Sequence, residues 1–329
     1  MKKIILYGFL AALFFSSTFA INRWLNVERG GHWFWTASLR YGYVLILLTG
    51  FIAARYGLKT LRSAMRCYAS AWYFWLMAGG IGFGLFYLSL CFAASFSPGW
   101  VLATTWQSTI LATPLVIKLL GEKIELKGIV FLGIMFTGIV LVNSYAFTGL
   151  PAHALLSVPP ILFAAFCYPI GNTLCKYACE GKYPKTKIQE HQASSNVFCQ
   201  VLMMTLGAMP VLVIAGALLS PPPPSNSQLI YTLIVAISTG VIATSFLYRA
   251  RQLAENNTLA LAAADGTQAI EAPLALFWEW LFFNGVLPNY RGICGLVLLT
   301  LGLLLFYYSN RSLGAKFEIS YSKGHKNAG

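Results

Sequence analysis

Ten apolar stretches follow one another along the chain, roughly Ile4 to Ile21, Trp33 to Ala54, Trp72 to Ala94, Val101 to Leu120, Ile129 to Ala146, Leu155 to Leu174, Val197 to Leu219, Leu229 to Tyr248, Leu259 to Phe283 and Ile293 to Tyr308. Each is long enough to cross a hydrocarbon core of about 30 Å as a helix. Helices are required because lipid offers no partner for a bare backbone group, and barrel strands would read as short alternating segments. The pattern predicts an all-α polytopic membrane protein with ten transmembrane helices. Composition agrees: 57% of the 329 residues are hydrophobic and only 10% charged, against about 25% charged in a soluble domain. No room is left for a sizeable soluble domain.

The net charge of +13 would point to nucleic acid in a soluble protein. Here its distribution matters more. With the N-terminus inside, nineteen of the 23 lysines and arginines fall on the inner side. Arg23, Arg29 and Arg291 fall outside, and Arg40 lies within the second span. Such asymmetry is a positive-inside signal, so both termini are expected in the cytoplasm and nucleic acid is not an expected partner. Lys2, Lys3, the first apolar run and Ser17-Thr18-Phe19-Ala20 also resemble a cleavable signal peptide. A repeat that needs an even number of spans argues against cleavage. The seven cysteines read as small apolar residues, since Cys175 and Cys179 lack a matching second pair, and no metal site or cofactor is expected.

The halves resemble each other weakly. At an offset of 161, Gly79, Ile81, Tyr87, Ala93, Ala103 and Gln107 match Gly240, Ile242, Tyr248, Ala254, Ala264 and Gln268. Lys127-Gly128 and Gly138 match Arg291-Gly292 and Gly302 at an offset of 164, and Pro114 corresponds to Pro273 after a small slip. Two five-helix repeats follow, residues 1–150 and 151–329, the second with a short basic cytoplasmic tail. Five is odd, so the second copy is inverted, as in many transporters. Pro221 to Pro224 predicts a stiff outer polyproline segment. Gly80 and Gly84, four apart in an apolar span, predict close helix packing, as do Gly128, Gly133 and Gly138 and also Gly292, Gly295 and Gly302. Walker A, GxSxG and HExxH signatures are absent.

Polar groups at membrane depth are costly and therefore point to function. They are Arg40, Gln107, Asn172, Gln200, Asp265, Gln268, Glu271 and Glu279. On an ideal helix Asp265, Gln268, Glu271 and Glu279 share an arc of about 120°. Span four carries Thr104 to Thr109 at mid-depth and then Pro114, whose ring frees a carbonyl. At 1.5 Å per residue Gln107 and Gln268 both lie roughly 14 to 17 Å deep from opposite faces, so Trp106, Gln107, Gln268 and Glu271 are candidates to line one substrate cavity. Arg40, about 10 Å below the outer surface, is expected to pair with Glu271 or Glu279. Asp265 would then be left to bind and release a proton. Interhelical hydrogen bonding is the alternative role for both polar spans.

Ten spans in two inverted halves, the segment Gln107 to Pro114 with Gly121-Glu122-Lys123 and Gly128 to Gly138, and its partial echo through Gln268, Glu271, Pro273, Glu279, Gly292 and Gly302 resemble the drug/metabolite transporter superfamily. Ser16 to Asn22 and Trp35 to Tyr41 are similar to its ten-helix multidrug resistance efflux (EmrE-like) branch in bacteria. The resemblance covers nearly the whole chain and implies a secondary transporter of the bacterial plasma membrane. It would move small organic molecules, drugs or metabolites, by alternating access and with protons as a candidate coupling ion. It would act as a monomer or homodimer and would not be an enzyme. The four-helix members place an essential glutamate in their first span, which has no acidic residue here, so their proton and drug site does not transfer. Two other classes stay open. A polytopic enzyme acting on lipid-linked substrates would need a polar cluster at a membrane face, for which Glu180, Glu190 and His191 are the nearest approach. A channel or scaffold would not need an acidic stripe.

Overall fold

The computed structural model describes residues 2–121, 129–149, 152–254, 267–285 and 287–305. Among them all regular structure is helical. Six stretches are long and apolar enough to cross a bilayer: Lys2–Val27, Trp33–Tyr56, Trp72–Ala93, His153–Cys179, Val197–Leu219 and Asn226–Leu247. Gly133–Ser144 and Tyr290–Leu305 are apolar but shorter. Ten uninterrupted spans are therefore not what the described residues contain. The chain nonetheless wears lipid-facing chemistry on its outside: Leu119 is 82% exposed and Leu218 81%, and Ile46, Val130 and Val213 also point outward. Large apolar side chains exposed in such number suit a lipid-facing surface.

The first helix, α1 (Lys2–Val27), runs unbroken through the signal-like Ser17 to Ala20 and on past Asn22. Arg23 lies near the C-terminal end of this helix. Next come α2 (Trp33–Tyr56) and α3 (Leu58–Ser70). The stretch expected as a basic inner loop is helical because its residues segregate: Ala64 and Cys67 are buried, while Lys59, Arg62 and Arg66 are not.

The third span is α4 (Trp72–Gly79), a π-helical turn over Gly80–Leu85 and α5 (Phe86–Ala93). The fourth is split into α6 (Gly99–Trp106) and α7 (Thr109–Leu119). Then follow α8 (Ile129–Gly149), α9 (Val158–Cys179) and α10 (Val197–Leu219). The eighth span repeats the pattern of the third, with α11 (Asn226–Val235), a π-helical segment over Ala236–Ala243 and α12 (Thr244–Ala254). A 3-10 turn over Thr267–Ile270 leads into α13 (Glu271–Phe282), and α14 (Tyr290–Leu305) is the last described helix.

Helices cross closely where glycine removes the side chain. A Cβ on Gly82 would sit 2.6 Å from Cα of Gly171, and one on Gly79 or Gly207 would strike the backbone of the facing helix. The third span is thereby pressed against α9 and α10. Gly80 and Gly84, expected to pack closely, also face α10, with Val211 at 3.1 Å and the Gly207 and Ala208 carbonyls at 3.7 and 3.5 Å, while Gly79 and Gly82 make still closer contacts. Between α8 and α14 the expectation holds for Gly138, Gly295 and Gly302, whose added Cβ atoms would lie 2.6 to 2.8 Å from the opposite helix. Gly133 faces open space, and Gly292 meets Pro288 and Trp100. Gly128 lies outside the described residues.

The connections between α1 and α2 and between α10 and α11 are tied by polar bonds. Gln228 donates to the His32 carbonyl at 2.8 Å and to Thr36 at 3.0 Å, and Trp35 donates its indole N–H to the Pro222 carbonyl at 2.6 Å. The proline segment therefore serves as a fixed acceptor on α2.

Candidate functional site

The fourth span breaks at Gln107 and Ser108. Gln107 and Ser108 bond back only three residues, to the Thr104 and Thr105 carbonyls, which tightens the chain locally. Four residues after Ile110, Pro114 offers no N–H, so the Ile110 carbonyl loses its helical partner. At this break Gln107 is buried, and its amide donates toward a carboxylate oxygen of Glu271 at 3.5 Å, near the limit of a hydrogen bond. Glu271 is itself buried and begins α13, directly after the 3-10 turn. The Ser108 hydroxyl, next along the chain, is buried with no partner.

Trp106 forms the apolar flank. Its ring lies 5.0 Å from Phe86 and 5.4 Å from Tyr168, and Phe86 lies 5.0 Å from Tyr168. Spans three, four and six thus contribute one aromatic side chain each, an arrangement suited to flat organic molecules. Sequence reasoning found Trp106 but not Phe86 or Tyr168, because aromatic residues in apolar runs carry no signal of their own.

Gln268 does not meet Gln107. Its amide donates to the Gly8 carbonyl of α1 at 3.3 Å and to Thr267 at 3.2 Å. The partner of Gln107 is Glu271, one helical turn further on; a carboxylate is the stronger acceptor for an amide donor. Asp265 lies outside the described residues.

Glu279 has a different task. One carboxylate oxygen accepts the Gly99 amide at 2.6 Å and the other accepts Trp100 at 3.2 Å, the first two amides of α6. Pro98, at the N-cap position, has no side-chain acceptor to offer them. Glu279 therefore caps a helix 180 residues away, where a negative charge also suits the helix dipole. Its nearest electrostatic counterpart is Arg23.

Arg40 pairs with neither glutamate. Its guanidinium donates to the Thr239 hydroxyl at 3.3 and 3.1 Å and lies over Tyr87 at 4.1 Å and Tyr41 at 5.2 Å. Helix packing explains the correction: α2 lies on α5, α10, α11 and the 236–243 segment, whereas α13 lies on α1 and α6. Asn172 and Gln200 are satisfied locally by the Tyr168 and Ser194 carbonyls.

Comparison with known proteins names the family. The family model EmrE, described as "Putative multidrug resistance efflux transporter", matches residues 1–312. The chain belongs to this family. Being a member of a transporter family, it is a multi-pass membrane protein with small-molecule transport as the family activity. Among relatives of the family member described here, the Bacillus subtilis (strain 168) protein YjlA, itself described as uncharacterized, is 33% identical over 94% of this chain and 95% of its own length. An uncharacterized 42.1 kDa protein of Shouchella clausii, from the 3′ region of an intracellular alkaline protease, is 34% identical over 82% of this chain and 70% of its own. A solved crystal structure of a protein superposes with a TM-score of 0.55 at 16% identity, covering 91% of this chain and 94% of that one, a likeness of fold alone.

Proposed function

We propose that this protein is a secondary active transporter of the bacterial plasma membrane that exports small organic molecules by alternating access, with Gln107 and Glu271 at its centre and Trp106 on the cavity wall. The observation that carries the reading is the buried Gln107–Glu271 contact at a break in the fourth span. Helix breaks at membrane depth are tolerated where they line a cavity. Among the described residues Glu271 has no cation and no backbone amide as its partner, so it is the carboxyl we assign to proton coupling, in place of Asp265. Glu279, engaged as a cap, is left out of that role.

Ten spans in two inverted halves, 1–150 and 151–329, belong to this proposal. Its support is positional. Residues Gln107 and Gln268 match at an offset of 161, and Gln107 sits at the break of the fourth span while Gln268 sits in the 3-10 turn before α13. The π-helical segments likewise fall in the third and eighth spans. Inverted topology predicts that reporter fusions after Arg66 and Lys187 read as cytoplasmic and one at Pro223 as external. An internal Pro223 would overturn the orientation and the inversion together.

The transport reading is tested by flux in proteoliposomes holding the purified full chain. An imposed pH gradient is expected to drive accumulation of an aromatic organic solute above the level of protein-free vesicles. Equal uptake in both, across drug-like and metabolite-like solutes, would remove the transporter reading and favour a scaffold.

A further inference from the structure

Arg40 is a cation at membrane depth that the proposed mechanism does not use. The groups holding it are Thr239, Tyr41 and Tyr87, each of them buried and uncharged in its ordinary form. Among the described residues the titratable groups that face it are Tyr41, Tyr87 and Cys91, and no carboxylate is one of them. The buried carboxylates of α13 are committed elsewhere, Glu271 toward Gln107 and Glu279 to the start of α6. One hydroxyl accepts from both Nε and Nη2, which leaves a guanidinium edge with bonding capacity to spare.

A second observation sits on the same tyrosine. Tyr87 shares hydrogen bonds with Thr18 at 3.0 Å and with the Asn22 amide at 3.0 Å, and the Asn22 nitrogen also reaches Cys91 Sγ at 3.6 Å. The other end of the Asn22 amide is fully buried and has no partner. Turning the amide over would exchange its atoms and still leave one of them unfilled. An uncompensated cation and an unfilled amide thus meet at one buried ring, walled by tyrosine faces and closed on one side by the π-helical segment that carries Thr239.

We propose that this cluster is an oxyanion subsite, and that the molecules carried are organic anions whose carboxylate, phosphate or sulfonate group docks on Arg40 while a polar substituent bonds Asn22. This rests on the transporter reading. A guanidinium offers an oxyanion paired N–H donors, and in a low-dielectric site the ligand supplies the counter-charge that the protein withholds.

The test measures the sign of the site directly. In the full chain, Thr239→Cys places a thiol beside the guanidinium, and the peptide bearing residue 239 is followed by mass. Two probes are compared, 2-sulfonatoethyl methanethiosulfonate and 2-(trimethylammonium)ethyl methanethiosulfonate, each rate divided by that with a free thiol in solution. The anionic reagent is expected to be favoured by at least about tenfold. Adding Arg40→Gln should remove the preference, and Arg40→Lys should restore it. Preference for the cation, a ratio unchanged by Arg40→Gln, or no labelling by either reagent would overturn the proposal. Should Arg40→Gln fail to fold, the ratio in the Arg40 background decides. Labelling does not depend on flux, so anion preference without transport would sink the transporter reading alone, and transport with cation preference would sink this inference alone.

Discussion

Replacing Glu271 by glutamine is expected to lower pH-driven flux in proteoliposomes by roughly two orders of magnitude, the scale of losing a positioned proton-transfer group. Exchange of substrate across the membrane with no pH gradient should persist. Glutamine keeps the size of the side chain and an oxygen that can face Gln107, so the bundle is not asked to repack. What it loses is the ability to release a proton. If the variant responds to the gradient as the parent does, Glu271 is not the coupling group, and the Gln107–Glu271 contact is a fastener between α6 and α13.

The largest loss of stability is expected at Glu279. Alanine there removes the carboxylate that accepts the Gly99 and Trp100 amides. At about 1–3 kcal/mol for each unmade buried bond, the variant should be less stable by roughly 2–5 kcal/mol. Thermal unfolding in detergent measures it. Glutamine at the same position keeps one acceptor oxygen and should lose about half as much. A midpoint unmoved by alanine would mean that water reaches these amides.

How far the sequence alone carries this picture differs between residues. Gln107, Glu271 and Trp106 were legible because a polar side chain in an apolar run has few reasons to be there. Their pairing was legible only to within one turn, since it was built from depths counted along ideal helices. The break at Gln107 and Ser108 and the 3-10 turn before Glu271 both change the rise per residue, and Gln268 went to α1 instead. Arg40 was recognised as costly, but its partners were assigned by depth. Lateral packing decides them, and depth says nothing about which helices touch. Tyr87 and Asn22 stayed hidden for another reason: each resembles its neighbours in composition, and only their meeting at one ring gives them meaning. The third and eighth spans read as plain helices because π-helical turns are made of the same small and apolar residues as the α-helices around them.

The cap on α6 has a temporal side. Gly99 and Trp100 leave the ribosome long before Glu279, which follows 180 residues later. At about 5–20 residues per second, translation leaves those amides bare for on the order of ten seconds or more. The fourth span therefore enters the membrane with an open end and waits for almost the last helix to close it. Truncation just before α13 would leave a chain that has inserted most of its helices and left its centre unfinished. Such a fragment keeps unfilled amides in the first turn of α6. A single carboxylate thus makes completion of the C-terminal half a condition for maturing the N-terminal one.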